Sequence, residues 1–163
     1  MAIVTFLEEA ILSQSWKGVR AAIENKAQVN DIGKYLKKRY GYGSTLLHLA
    51  VLSPEEMREL CQLKRIGKEE SLEDPHVSSD VVAELLTSKP EENGRINANA
   101  TNKEKRASYL AEENMDKIKG RNDIKNEYEK VINAIKKYRY QGARYHDVYD
   151  EREKKMRRVR NAQ

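Results

Sequence analysis

The stretch that decides the fold reads GSTLLHLA and covers residues 43–50. Its apolar residues follow one another without the regular polar positions of an exposed helix, which predicts a short buried helix over 45–52. A second helix start follows at once, because Ser53 can act as an N-cap and Pro54 suits the first helical position. We therefore expect a helix over 54–63 directly after the buried one.

Apolar residues at helical spacing continue on both sides of this stretch. Residues 4–25 predict two short helices, because the polar residues 13–15 interrupt the apolar pattern. Three further helices are expected downstream, over 79–87, 107–114 and 123–138.

Polar segments between these helices predict loops. Residues 31–43 bear glycines and are basic and tyrosine-rich, residues 64–77 carry charge, glycine and proline without a period, and residues 88–105 are polar. Ser79 or Asp80 is expected to cap the helix that follows the second loop. No segment alternates as a strand does, so the sequence predicts an all-α fold built from helix–turn–helix units.

Several segments resemble the ankyrin-repeat family. GSTLLHLA is similar to the family core G-x-T-P-L-H-L-A, with Leu46 at the usual proline. Residues 16–30 resemble an outer helix with its V-N turn, and residues 80–86 resemble a second outer helix, followed by a similar turn at 96–98. RASYLAEEN at 106–114 resembles a third inner helix in which most positions have changed.

The resemblance implies an all-α fold, namely a short ankyrin-like helix–turn–helix repeat stack with a C-terminal helical extension. In that family the threonine and histidine of the core hydrogen-bond to backbone between repeats, which implies this structural role for Thr45 and His48. The same resemblance implies that Leu47, Leu49 and Ala50 pack the inner helix.

The spacing of the repeated segments requires extra residues between them. Asn30 and Asn97 are 67 residues apart, and Thr45 and Arg106 are 61 apart. One repeat of about 33 residues leaves a surplus of about 28 to 34 residues. We interpret the surplus as an insertion at about 53–77, because its second half has no apolar face to stack. The alternative is an additional, degenerate repeat.

The charge is unevenly distributed along the chain. Residues 1–135 carry a net charge of −1, whereas residues 136–163 carry +6. The chain is therefore expected to divide into a repeat domain over 1–138 and a basic helical tail over 139–163.

Two turns of the repeat domain, over 31–44 and 98–105, correspond to the finger-like turns of the resembled family. That resemblance implies a non-enzymatic protein-binding function, with a concave surface made by these turns and the inner helices. Basic residues at a finger tip favour a protein partner with an acidic surface. The candidate partner-binding residues are Lys34, Tyr35, Lys37, Lys38, Arg39, Tyr40, Tyr42, Lys103 and Lys105.

The alternative function is nucleic-acid binding by the tail, where lysine, arginine and tyrosine alternate and could contact phosphates and bases. A solvated, charged helix gives the same composition. A helical stripe of apolar residues in the tail also suggests that it docks on the last repeat or on a partner helix. The oligomeric state is left open.

Catalytic and metal-binding patterns are not found in the sequence. No glycine-rich phosphate loop follows a strand, and no paired cysteines or His-x-x-x-His spacing indicates a metal site. Cys61 is the single cysteine and is interpreted as a structural thiol. We therefore expect no enzymatic activity, cofactor or bound metal.

The expected location is the cytoplasm, without membrane association. No segment approaches the roughly 20 apolar residues of a membrane-spanning helix. The N-terminal stretch lacks the basic region of a Sec-type signal peptide. Export by a route without such a signal stays open.

Overall fold

The computed structural model describes residues 5–30, 32–40, 45–64 and 76–139, and these residues are mostly helical. None of the helices in these ranges combines the length and hydropathy needed to cross a bilayer. The helices are α1 (Phe6–Leu12), α2 (Trp16–Glu24), α3 (Lys34–Tyr40), α4 (Leu46–Ala50), α5 (Pro54–Lys64), α6 (Ser79–Leu86), α7 (Pro90–Asn93), α8 (Ala107–Asp116) and α9 (122–139). The strands β1 (Thr101–Asn102) and β2 (Lys105–Arg106) form an antiparallel hairpin.

Side-chain hydroxyls start five of these helices. The hydroxyls of Thr5, Ser15, Thr45, Ser53 and Ser78 each accept a hydrogen bond from the backbone N–H three residues further on. Each bond satisfies one of the N–H groups that the first turn leaves without a partner. The prediction of an N-cap for α6 at Ser79 or Asp80 was therefore one or two residues late, because the cap is Ser78.

The predicted loop over 31–43 contains a helix, so this prediction was wrong. α3 covers residues 34–40, and no glycine or proline interrupts that run. Leu36 is 2% exposed and Ile32 is buried as well, so burial of two apolar residues stabilises the helix. The basic, tyrosine-rich composition concealed this apolar side. Residues 31 and 41–44 lie outside the described residues.

The predicted loop over 88–105 was also wrong in two places. It contains the single turn of α7 and most of the β1–β2 hairpin. The hairpin closes through Lys103 and Glu104, which both have positive φ angles, of 51° and 67°. Two successive left-handed residues form the tight turn that asparagine and glycine normally supply. Because that signature is absent here, the hairpin was not predicted.

The helices are arranged as three pairs in contact with one another. α1 pairs with α2, α4 with α6, and α8 with α9, the last pair being joined by an ion pair between Lys136 and Glu112 at 2.8 Å. α4 contacts both α1 and α8, and α2 contacts α6. One continuous hydrophobic core runs through the three pairs. Each short pair hides its apolar face against its neighbour, as stacked units do.

α5 lies within the predicted insertion and packs against α1. The Cys61 thiol donates a hydrogen bond to the carbonyl of Leu12 at 3.4 Å, and the amide of Gln14 lies 3.8 Å from the sulfur of Met57. The first part of the insertion, α5, is therefore a helix that packs against the core. Residues 65–75 lie outside the described residues.

The first two helix pairs are fixed to the chain that follows them in the same way. Thr5 with Glu8, and Thr45 with His48, form reciprocal capping boxes at the starts of α1 and α4. Glu8 is 0% exposed, and its carboxylate also accepts a bond from the N–H of Gly33 at 3.2 Å. His48 bonds to the carbonyl of Lys105 at 2.9 Å. In both pairs, the third helical residue bridges to a later loop.

Backbone and amide groups join the turn after α2 to the segment after α6. The N–H of Val29 donates to the carbonyl of Asn93 at 2.8 Å. The buried side-chain amide of Asn93 donates to the carbonyls of Ile23 and Ala27 at 3.0 and 2.9 Å, and it accepts from the N–H of Lys89. Asn93 therefore satisfies three backbone groups from two helix pairs.

We predict that Asn93→Ala lowers the free energy of unfolding by about 1–3 kcal/mol, because the carbonyls of Ile23 and Ala27 lose their donor in a buried place. Asn99→Ala is the matched control, since Asn99 is exposed, and it should change the free energy by no more than about 0.5 kcal/mol. Chemical denaturation of the full chain measures both. Equal stability of the two variants would contradict the role given to Asn93.

Candidate functional site

A groove runs beside α4 and α8. It has a volume of about 240 Å³ and lies between α3, α4, the start of α5, the β1–β2 hairpin and α8. We call it the inner groove. Its apolar lining consists of Ile32, Leu36, Leu46, Leu49, Leu52 and Leu110.

The rim of the inner groove is polar and mainly basic. Lys105 forms an ion pair with Glu113 at 2.8 Å, which also raises the pKa of that lysine. Lys103 and Lys117 also line the groove, and neither has an ion-pair or hydrogen-bond partner within the described ranges. Glu56 is the second acidic residue of the lining. Because Glu113 is paired with Lys105, the exposed Lys103 and Lys117 share the rim with one other carboxylate, that of Glu56.

His48 connects the floor of the groove to the hairpin. Its Nδ1 accepts a hydrogen bond from the N–H of Thr45 at 3.2 Å and lies 2.8 Å from the Thr45 hydroxyl. Its Nε2 lies 2.9 Å from the carbonyl of Lys105, an acceptor, so Nε2 must carry the proton. This arrangement requires the neutral imidazole, and burial lowers the pKa of His48 below its ordinary value.

Asn114 lies at the wall of the groove and is 1% exposed. Its side-chain Nδ2 donates to the carbonyl of Val51 at 2.8 Å. Its Oδ1 has no hydrogen-bond partner within the described part of the chain. Nearby, the hydroxyl of Tyr128 donates to the carbonyl of Leu52 at 2.7 Å. Side chains of α8 and α9 therefore donate to the carbonyls of Val51 and Leu52 after α4, and the Oδ1 of Asn114 has no donor among the described residues.

The basic residues predicted at the first finger lie on α3. Lys37, Lys38 and Arg39 are exposed, and Arg39 forms an ion pair with Glu59 of α5 at 2.9 Å. None of the three lines the groove, whereas Leu36 from the same helix does. Lys34, Tyr35 and Tyr40 belong to α3 by their backbone, and Tyr42 lies outside the described residues. Lys103 and Lys105, by contrast, both lie at the groove.

The repeat-motif residues lie together on α4 and its cap. Thr45 caps the helix, and Leu47, Leu49 and Ala50 are buried. Leu49 lines the floor of the groove, while Leu47 lies in the core between the helix pairs.

Sequence reasoning missed several residues that build the site. Glu8 occupies the same helical position as His48, and the capping-box spacing Thr5-x-x-Glu8 could have revealed it. Asn114 and Leu110 are on a helix that was predicted, but nothing in their spacing marked them as groove residues.

Other chemistry has little support from the described residues. Within them, no three His, Cys, Asp or Glu side chains lie together as ligands for a metal ion. The Cys61 thiol is half-buried, and burial raises its pKa, which favours the poorly nucleophilic protonated thiol. Almost all of the predicted tail, residues 140–163, lies outside the described residues.

The chain was compared with family models, curated proteins and solved structures, and none of them matches it.

We predict that stability falls as the pH is lowered from 7.5 towards 5. The unfolded chain gains a proton on His48 near pH 6.5, whereas the folded chain does so only at a lower pH, so acid favours unfolding in this window. His48→Gln should lower the unfolding midpoint at pH 7.5 and should also flatten its change with pH. Asn99→Ala, at an exposed position without a titratable side chain, is the control and should keep the slope of the original chain. An unchanged slope in His48→Gln would show that this imidazole does not titrate as described.

Proposed function

We propose that the chain is a short, divergent ankyrin-like repeat protein that binds a protein partner along its inner groove. Three contacting helix pairs support the repeat architecture, with α1, α4 and α8 as inner helices. The matched capping boxes of Thr5–Glu8 and Thr45–His48 also support it. The insertion between α4 and α6 then consists of α5 and the residues up to 77.

The observation that carries the proposal is the apolar lining of an open groove with a polar rim. Single exposed apolar side chains are common on protein surfaces, but a contiguous apolar lining marks a binding surface. At about 240 Å³ the groove is smaller than the roughly 300–1,000 Å³ of sites that enclose a small molecule. Its size suits one or two side chains of a larger partner.

The hairpin and α3 give this surface its electrostatic character. Lys103 and Lys105 come from the hairpin, and Lys37 and Lys38 are exposed on the helix whose Leu36 lines the groove. Positive charge around an apolar patch favours acidic partners, mainly through the rate of association and the rejection of basic ones.

A photo-crosslinking residue placed at Lys103 tests whether partners approach the groove. In extract from the source organism, this variant should crosslink to one or a few proteins. The same residue at Lys119, which is exposed in the turn after α8 but does not line the groove, should capture far less. Equal crosslinking from the two positions would overturn the proposal that the groove is the binding surface.

Charge reversal on α3 tests the electrostatic part. We predict that Lys37→Glu with Lys38→Glu slows association with the crosslinked partner, and that the loss is greatest at low salt. Lys130→Glu with Lys137→Glu changes the net charge equally on α9 and is the control. If the two double variants associate at the same rate, α3 has no part in recognition.

A further inference from the structure

We propose that the inner groove binds an extended acidic peptide, in which one aliphatic side chain enters the groove and a carboxylate on each side pairs with Lys103 and Lys117. This inference rests on the proposed function and specifies its partner. The aliphatic side chain matches the apolar lining of the groove, and the two carboxylates match the two lysines.

The apolar contact is provided by Leu46, Leu49 and Leu110, which come from two neighbouring inner helices. Leu46 and Leu49 are buried on α4, while Leu110 on α8 is only half-buried. An aliphatic side chain placed here covers the exposed part of Leu110. The groove has room for such a side chain.

The spacing of the charges follows from α8. Lys103 lies in the turn before this helix, and Lys117 is its C-cap. α8 itself rises about 15 Å over its ten residues, and β2 lies between Lys103 and the start of the helix. The two lysines therefore come from before and after the helix that carries Leu110, and the peptide carboxylates are placed on either side of its aliphatic residue.

The charge balance selects an acidic peptide over a basic one. Lys105 is paired with Glu113, which leaves Lys103 and Lys117 against Glu56. Residues 136–163 of the chain itself carry +6, so this tail is electrostatically mismatched with the groove. The proposal assigns the groove to a partner protein, and the acidic residues 69–74 of the chain itself are the competing occupant that the peptide test reveals.

The test is the binding of a fluorescein-labelled synthetic peptide, Gly-Glu-Ser-Leu-Ser-Ser-Glu-Gly, to the full chain by fluorescence polarisation at low salt. Replacing its leucine by serine should weaken binding at least about ten-fold, because burial of one leucine is worth about 1.5–3 kcal/mol. Replacing both glutamates by glutamine should also weaken binding, and replacing them by lysine should abolish it.

The protein variants localise the two charges. Lys103→Gln and Lys117→Gln should each weaken binding of the acidic peptide by about two- to five-fold, as expected for exposed ion pairs. Lys119→Gln lies two residues from Lys117 outside the groove lining and should leave the affinity unchanged. The glutamine peptide should bind all four proteins equally, which separates loss of an ion pair from loss of folding.

Three results would overturn the proposal. They are no binding of the acidic peptide, equal binding of the glutamate and lysine peptides, and an effect of Lys119→Gln equal to that of Lys117→Gln. A groove already filled by another segment of the same chain would give the first result. If crosslinking through Lys103 still captures a protein in that case, the protein-binding function stands and only the acidic-peptide class is wrong.

Discussion

The hydrogen bonds of the neutral His48 imidazole hold α4 beside the hairpin that precedes α8, and the rest of the groove depends on them. The imidazole accepts from Thr45 at the start of its own helix and donates to the carbonyl of Lys105 in the hairpin that leads into α8. Both bonds use the only proton that a neutral imidazole carries and its one lone pair. Gain of a proton on Nδ1 therefore removes the bond that this nitrogen accepts from the N–H of Thr45.

Glu8 gives the first helix pair an equivalent bridge with different chemistry. Its carboxylate accepts hydrogen bonds from the N–H of Thr5 and the N–H of Gly33. In the second pair the equivalent residue, His48, accepts one hydrogen bond and donates the other. The corresponding residue of α8 is Tyr109, which is 51% exposed. A buried residue at this helical position therefore makes the bridge in α1 and α4, whereas the residue at the same position of α8 is exposed.

These bridges also position the inner groove. The bond from His48 holds the hairpin beside α4, and this brings Lys103 and Lys105 to the rim of a floor made by Leu46 and Leu49. A fixed hairpin places positive charge without any reorganisation on binding. The structural role of His48 and the proposed binding role of the lysines are therefore two consequences of one contact.

Most helices could be predicted because their signals are local. Ser53, Pro54 and the apolar period of 123–138 each mark a helix by rules that operate within one turn. α3 could not be predicted in this way, since Leu36 is buried by distant elements and its neighbours are basic. The hairpin was missed because Lys103 and Glu104 replace the usual turn residues at positions with positive φ angles.

Residues of the groove could also be predicted only where a local signal marks them. Lys103 and Lys105 were predicted as binding residues and do lie at the groove, whereas Lys37 and Lys38 lie on a helix beside it. Asn114 was not predicted, because its importance comes from a partner 63 residues away in sequence. A single sequence carries no signal for such a pair.

The most direct test of this account is the protonation state of His48, measured from the ¹⁵N chemical shifts of its two ring nitrogens. The account predicts that at pH 7 Nε2 carries the proton and Nδ1 has the shift of an acceptor. It further predicts that this state persists below pH 6.5, the ordinary pKa of a histidine. A proton on Nδ1 at pH 7, in either the other tautomer or the imidazolium, would contradict the bridge between α4 and the hairpin.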